Sequence, residues 1–187
     1  MTLNALQAGQ SDNGFTPHFR VLYWPVKMIA RGYATIIPIN KKAILDVVPA
    51  DYVTNAIVAL MQSDKAHNRT FLLTAGKGNE VSIPKLLNDA QKMGACKYRL
   101  RIPIWAFRDV EHTILRRLLP KSFWELAEKA KPYTGYLEGT DVHYDNSATT
   151  ELLTELGVKR PHWDAYHQNV FGHAIDRDWG RVAPKEA

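Results

Sequence analysis

The stretch ILDVVPADYVTNAIVALMQ, residues 44–62, decides how the rest of the chain is read. With Ala43 it opens on AILDVV, a β-branched run that predicts a short strand over Ala43–Val48. Pro49 stops that strand, because a proline has no N–H to give to a ladder. Asp51 then stands ahead of Tyr52, Val53, Ala56, Ile57 and Leu60, a spacing that gathers apolar side chains on one helical face. An Asp in the first turn is expected to cap free N–H groups and to complement the helix dipole.

Working outward, Ser63–Arg69 reads as a polar loop and Thr70–Ala75 (TFLLTA) as a compact apolar strand, broken by Gly76 and Gly78. Ser82 caps a helix that runs to Met93 and is closed by Gly94. Residues 43–94 therefore alternate β-α-β-α, the order of an α/β sheet protein. Upstream, Phe19, Leu22, Val26 and Ile29 fall at helical spacing, and Pro25 either opens that helix at its first turn or kinks it. Gly32 suits the residue just past its end, and Ala34–Pro38 reads as another strand. Residues 1–18 are polar and are expected to be a disordered or adapted start.

Beyond Gly94 the character changes. Tyr98–Ile102 alternates weakly, and helices are expected over 105–119, 122–131, 147–156 and 163–175. An aromatic loop, Pro132–Leu137, lies between them, and 178–187 reads as a frayed tail. The expected organisation is thus an α/β portion at 19–94, a partial Rossmann-type sheet remnant, followed by a mostly helical region at 95–177.

The 187 residues are 45% hydrophobic and 23% charged, which excludes wholesale disorder. No apolar run approaches the roughly 18 residues of a membrane span, and the first residues carry no basic and apolar leader pattern. A single cysteine, Cys96, excludes a disulfide scaffold and fits a reducing, cytoplasmic setting. The net charge of +5 suits an anionic ligand. Its lysines and arginines are scattered, so a solvated basic surface is expected and nucleic-acid binding is not.

Several motifs resemble catalytic ones without their context. Tyr23 and Lys27 form Y-x-x-x-K, in which a Tyr hydroxyl serves as acid/base and a Lys one turn on lowers its pKa. Pro25 lies between them and no nucleotide loop precedes them. Gly76-Lys77-Gly78 follows a strand and precedes a helix, but Val81 stands where a dinucleotide loop has its third glycine, and Glu80 would repel a pyrophosphate. His167 and His173 are six residues apart, not the three or four that place two ligands on one helical face. Lys97 beside Cys96 could depress the thiol pKa, yet no base accompanies it.

Val48-Pro49-Ala50-Asp51-Tyr52-Val53 resembles the V-P-V-D-Y-V element of extended short-chain dehydrogenase/reductases, with Ala50 in place of the usual Val. The nearest branch is the fatty acyl-CoA reductase and thioester reductase group, which includes the male-sterility-like proteins. Arg31-Gly32-Tyr33 before it, residues 70–87 after it, and Tyr133–Leu137, Asp141–Ser147 and Leu156-Gly157 further on follow that family in order. The similarity covers roughly residues 19–175, and only the V-P-x-D element is specific. The family's glycine-rich nucleotide loop, catalytic Ser and true Y-x-x-x-K have no counterpart in this sequence.

What the resemblance implies is the substrate-side, C-terminal portion of an acyl-thioester reductase, inactive alone, whose intact form uses NADPH. A missing N-terminal nucleotide-binding half, or self-association, would complete it, and acyl-CoA or an acyl carrier would be the substrate. The implied substrate-side residues are Pro49, Asp51, Tyr52, Tyr133, Tyr136 and Leu137, with plain packing as the alternative for the last three. No catalytic, cofactor-binding or metal residue is implied in this chain. Two other readings stay open: the matching half of a sugar-nucleotide epimerase/dehydratase or steroid-type reductase, and a non-catalytic interaction protein derived from such an enzyme.

Overall fold

The computed structural model describes residues 5–19, 21–33, 36–97, 100–103 and 143–181. Their architecture is mixed α/β, as the alternation of residues 43–94 predicts. The elements in order are β1 (Leu6–Ala8), α1 (Tyr23–Ala30), β2 (Ile36–Ile39), β3 (Ile44–Leu45), β4 (Val47–Pro49), α2 (Ala50–Met61), β5 (Val81–Ser82), α3 (Ile83–Lys92), β6 (Leu100–Pro103), α4 (Ser147–Glu155) and α5 (Trp163–Asp176). They fall into two compact units interleaved along the chain. The first takes the described residues up to Leu22, then Leu45–Val81, then those from His143 on; the second takes Tyr23–Ile44 and the described residues from Ser82 to Pro103.

In the first unit β1 runs parallel to β4, with Leu6 opposite Val47 and Ala8 opposite Pro49. This paired strand lies where the sequence suggests a disordered or adapted start. Three residues are too few to show a period, and their order comes from a partner some forty positions away. The core of the unit joins Val48 of β4 and Tyr52, Val53, Ala56 and Leu60 of α2 to Phe71, Leu73, Ala75, Leu152 and Leu153. Tyr166 of α5 donates its hydroxyl to the Val47 carbonyl at 3.2 Å, fastening that helix to β4.

Two strand expectations are corrected here. Residues 43–48 do not form one strand: Asp46 interrupts them, separating β3 from β4, and Pro49 ends β4 from within. The interruption has a cause, since the Asp46 carboxylate accepts the Ala75 N–H at 2.6 Å and the Gly76 N–H at 3.3 Å. Thr70–Ala75 is likewise no ladder strand; only Leu72 makes an isolated bridge. Side chains take its amides instead, the Leu72 N–H going to Thr149 Oγ1 at 3.1 Å. Its Phe71, Leu73 and Ala75 side chains are nonetheless core, with Leu73 fully buried.

In the second unit β2 runs parallel to β6, from Ile36 opposite Leu100 to Ile39 opposite Pro103. Pro25 is the third residue of α1 and therefore opens the helix rather than kinking it, because the first turn has no intrahelical use for its missing N–H. Ser82 caps α3 by accepting the Lys85 N–H at 3.3 Å. Tyr23, Val26, Ile29, Leu86, Leu87 and Ala90 are buried.

Three helices end in the same way. After α1, α3 and α4 the next-but-one residues are Gly32, Gly94 and Gly157, all at positive φ. Each following residue returns its N–H to the helix: Tyr33 to Met28, Ala95 to Ala90 and Val158 to Leu153. This pairing satisfies carbonyls that would otherwise lack partners. The helices expected at 105–119 and 122–131 and the 132–137 loop lie outside the described residues. Within the expected tail, Asp178–Gly180 form a 3-10 turn with Trp179 buried.

Candidate functional site

The junction of β4 and α2 positions the first group. Pro49 is the N-cap residue of α2, with an extended backbone and no side-chain cap bond. Asp51 does not cap the helix either, which corrects that expectation. Its carboxylate faces Ser11, in the turn after β1, and accepts the Ser11 N–H at 2.7 Å and the Ser11 hydroxyl at 2.5 Å. The Ser11 carbonyl in turn accepts from Asn169 Nδ2 of α5 at 2.8 Å. Asp51 thus joins the start of α2 to the turn after β1 while its charge still complements the helix dipole.

Beside this junction lies a cleft of about 500 Å³, lined by Ser11, Asp51, Tyr52, Asn55 and the run Gly157–Pro161. That volume lies within the range of small-molecule sites, roughly 300–1,000 Å³. The turn that ends α4 delivers the run to it: Gly157 reverses the chain, Val158 packs against the core and Lys159 and Arg160 follow. Lys159 is exposed and has no hydrogen-bond or ion-pair partner among the described residues. Arg160 makes one long contact, from Nη1 to the Thr74 carbonyl at 3.5 Å. Burial pushes the Tyr52 hydroxyl above its ordinary pKa; Arg160 opposes the shift and Asp46 adds to it.

A second group surrounds the Gly76–Glu80 loop. Gly76 and Gly78 both take positive φ. Their amides are already held by carboxylates of the chain: Gly76 by Asp46, and Gly78 by Glu80 Oε2 at 2.6 Å. Glu80 Oε1 also meets His143 Nδ1 at 2.7 Å, the Glu80 side chain being only 5% exposed. Although burial pushes the Glu80 carboxyl up, the His143 bond, the N–H groups of Glu80 and Gly78 and the His143 charge hold it below its ordinary range. Asp46 moves the other way, raised chiefly by burial against the two amide bonds it accepts. Asn146 Nδ2 donates to the Thr74 carbonyl at 2.9 Å and fills the space a Cβ on Gly76 would need.

Of the residues implied by resemblance, Pro49, Asp51 and Tyr52 come together at the β4–α2 junction. Asp51 and Tyr52 line the cleft, while Pro49 is buried in β4. Tyr133, Tyr136 and Leu137 lie outside the described residues. Sequence reasoning missed Ser11, Asn55 and the 157–161 run, although the adjacent cations behind a helix-ending glycine were a visible signal. Tyr23 is 2% exposed, its ring in the core of the second unit. Cys96 is buried, and burial raises its thiol to about 11, against a weaker lowering by Arg101; the depression expected from Lys97 does not occur. His162 caps α5 through a 3.4 Å contact from the Asp164 N–H, and His167 stacks on Trp163.

No protein-family model and no curated protein matches the chain. Solved structures do. The chain is similar to the terminal R domain of the myxalamid PKS-NRPS biosynthetic pathway, at 20% identity and a TM-score of 0.66, over 97% of this chain and 45% of that one. It is similar to the reductase (R) domain of a nonribosomal peptide synthetase from Mycobacterium tuberculosis, at 13% identity and a TM-score of 0.57, over 93% and 45%. A thiolation-reductase di-domain from an archaeal non-ribosomal peptide synthetase gives 13% identity and a TM-score of 0.62, over 95% and 36%. The chain therefore spans less than half the length of each, and it shares with these reductase domains a fold. No helix among the described residues is long and apolar enough to cross a membrane.

Proposed function

We propose that this chain is the substrate-side, C-terminal portion of an NAD(P)H-dependent acyl-thioester reductase and does not carry out the reaction alone. The observation that carries the reading is the likeness in fold over 97% of the chain to a terminal R domain of which it spans 45%. The V-P-x-D element adds to it, since Asp51 ties α2 to the turn after β1 through both carboxylate oxygens. The same likeness favours a thioester reductase over a sugar-nucleotide or steroid-type relative. The fatty acyl-CoA branch, with a role in lipid metabolism in the cytoplasm, is the form suggested by the wording of that element.

On this reading a nucleotide-binding half supplies NADPH, the acid/base Tyr and its Lys, and this chain presents an acyl-CoA or carrier-bound acyl group to it. Bound to that other half, NADPH would supply the hydride for the thioester carbonyl carbon, the thiol leaving with a proton. Tyr23 and Lys27 take no part, because a Tyr with its ring in the core does not present a hydroxyl to substrate. The test is reconstitution with a candidate N-terminal half, read as acyl-CoA-dependent NADPH oxidation. Turnover that requires both halves is expected; a well-folded complex that oxidises no NADPH with any acyl thioester would overturn the proposal.

A further inference from the structure

We propose that the cleft between α2 and the 157–161 run binds a phosphate-bearing small molecule, Lys159 and Arg160 taking its charge. The inference stands apart from the reductase reading. Its first support is the state of the two cations. Lys159 has no partner among the described residues, and Arg160 gives a single contact at the outer limit of hydrogen bonding, 3.5 Å, to the Thr74 carbonyl. A guanidinium carries five N–H donors in a planar fork suited to oxyanions, so most of the capacity of Arg160 is unused.

Two carboxylates lie near these cations, Asp51 in the lining and Asp46, whose charge interacts with Arg160, and neither forms an ion pair with Lys159 or Arg160 among the described residues. Each oxygen of Asp51 already holds a donor of Ser11, at 2.7 and 2.5 Å. The α2 side adds Asn55, whose amide can bond to a ligand, beside the buried Tyr52. Two cations on one loop, facing Asn55 and an Asp51 already bonded to Ser11 on one helix, around about 500 Å³, describe a site for a small molecule with an anionic end. Phosphate is favoured over carboxylate by donor number. An Arg fork alone fills the two oxygens of a carboxylate, whereas a phosphate keeps a further oxygen for the Lys159 ammonium.

The experiment titrates the full chain with inorganic phosphate at constant ionic strength, read by phosphorus NMR line width or calorimetry. Saturable binding with Kd about 1 mM or tighter is expected, with acetate clearly weaker. Lys159→Glu should weaken it roughly tenfold or more, the scale of one charge-assisted hydrogen bond. Lys159 is exposed, so the variant should keep the parent's thermal transition, and Lys159→Arg should retain binding. Lys92→Glu, the same charge change on an exposed face of α3, should leave binding as it was. Absence of saturation, equal binding of acetate, an equal loss in Lys92→Glu, or indifference to Lys159→Glu would each overturn the proposal.

Discussion

The loops Gly76–Glu80 and Gly157–Pro161 each begin with a glycine in the left-handed region, at φ +73 and +78. They treat their hydrogen-bonding groups in opposite ways. In the first, the Gly76 and Gly78 amides are engaged by Asp46 and Glu80, and Glu80 is engaged again by His143. In the second, the backbone bonds close α4, and the cations that follow stay largely uncommitted. The glycine-rich loop, which carries the more suggestive motif, is thus internally satisfied, while the plainer loop has capacity for a ligand. A motif shows which donors exist; only the fold shows whether the chain has already used them.

The largest effect should come from breaking the first loop at its base. Asp46→Ala removes the acceptor of two buried amides, those of Ala75 and Gly76. An unmatched buried N–H costs about 1–3 kcal/mol, so a loss of about 3 kcal/mol is expected in denaturant unfolding. A change below about 0.5 kcal/mol, the scale of an ordinary surface substitution, would mean that water replaces the carboxylate and that the loop is not held from within.

The two glycines of this loop differ next. Gly76→Ala should cost more than the roughly 1–2 kcal/mol of left-handed backbone strain, because its Cβ would overlap the Asn146 side chain as well. Gly78→Ala has the same sign of φ and nothing within 4 Å, so it should cost the strain alone. Thermal unfolding of both variants checks the order. Equal losses would remove Asn146 from the account.

Smaller still is a pH effect in which the two carboxylates oppose each other. Glu80 titrates below its ordinary value when folded, so its contribution is present above pH 4.5 and is lost as pH falls through the folded pKa. Asp46 titrates above 3.8 when folded, so the fold is favoured by its protonation and loses stability as pH rises through that interval. Glu80→Gln should therefore flatten the acid limb of a stability–pH profile, approaching the parent at low pH and differing from it by a pH-insensitive offset above pH 4.5. An unchanged acid limb would show that the His143–Glu80 contact does not form in solution.

Much of the fold was legible because it rests on local chemistry. Gly32, Gly94 and Gly157 end helices as their positions predict, Ser82 caps α3, and Tyr52, Val53, Ala56 and Leu60 bury one face of α2. What was not legible depends on distant partners. β1 exists because β4 lies beside it. The AILDVV run breaks because Asp46 is needed by Ala75 and Gly76, and TFLLTA loses its ladder because Thr149 and Asp46 take its amides. The site divides in the same way: Asp51 was visible as the acid of a known element, but its partner Ser11 is forty positions away.

The smallest expected effect is none at all, and it tests the comparison most directly. A dinucleotide pyrophosphate binds a glycine-rich turn through free backbone N–H groups at a helix N-terminus. At Gly76–Glu80 those groups face the Asp46 and Glu80 carboxylates, so an incoming pyrophosphate would have to displace two anions while meeting their charge. The N-terminus of α3 is also closed, since Ser82 accepts the Lys85 N–H. Titration of the full chain with NADPH, followed by nicotinamide fluorescence, should show no saturable binding in the micromolar range, and Glu80→Gln should leave that result unchanged because Asp46 still holds its amides. Saturable micromolar binding by the parent chain would show that the loop opens, and would transfer to it the ligand-binding role assigned here to Lys159 and Arg160.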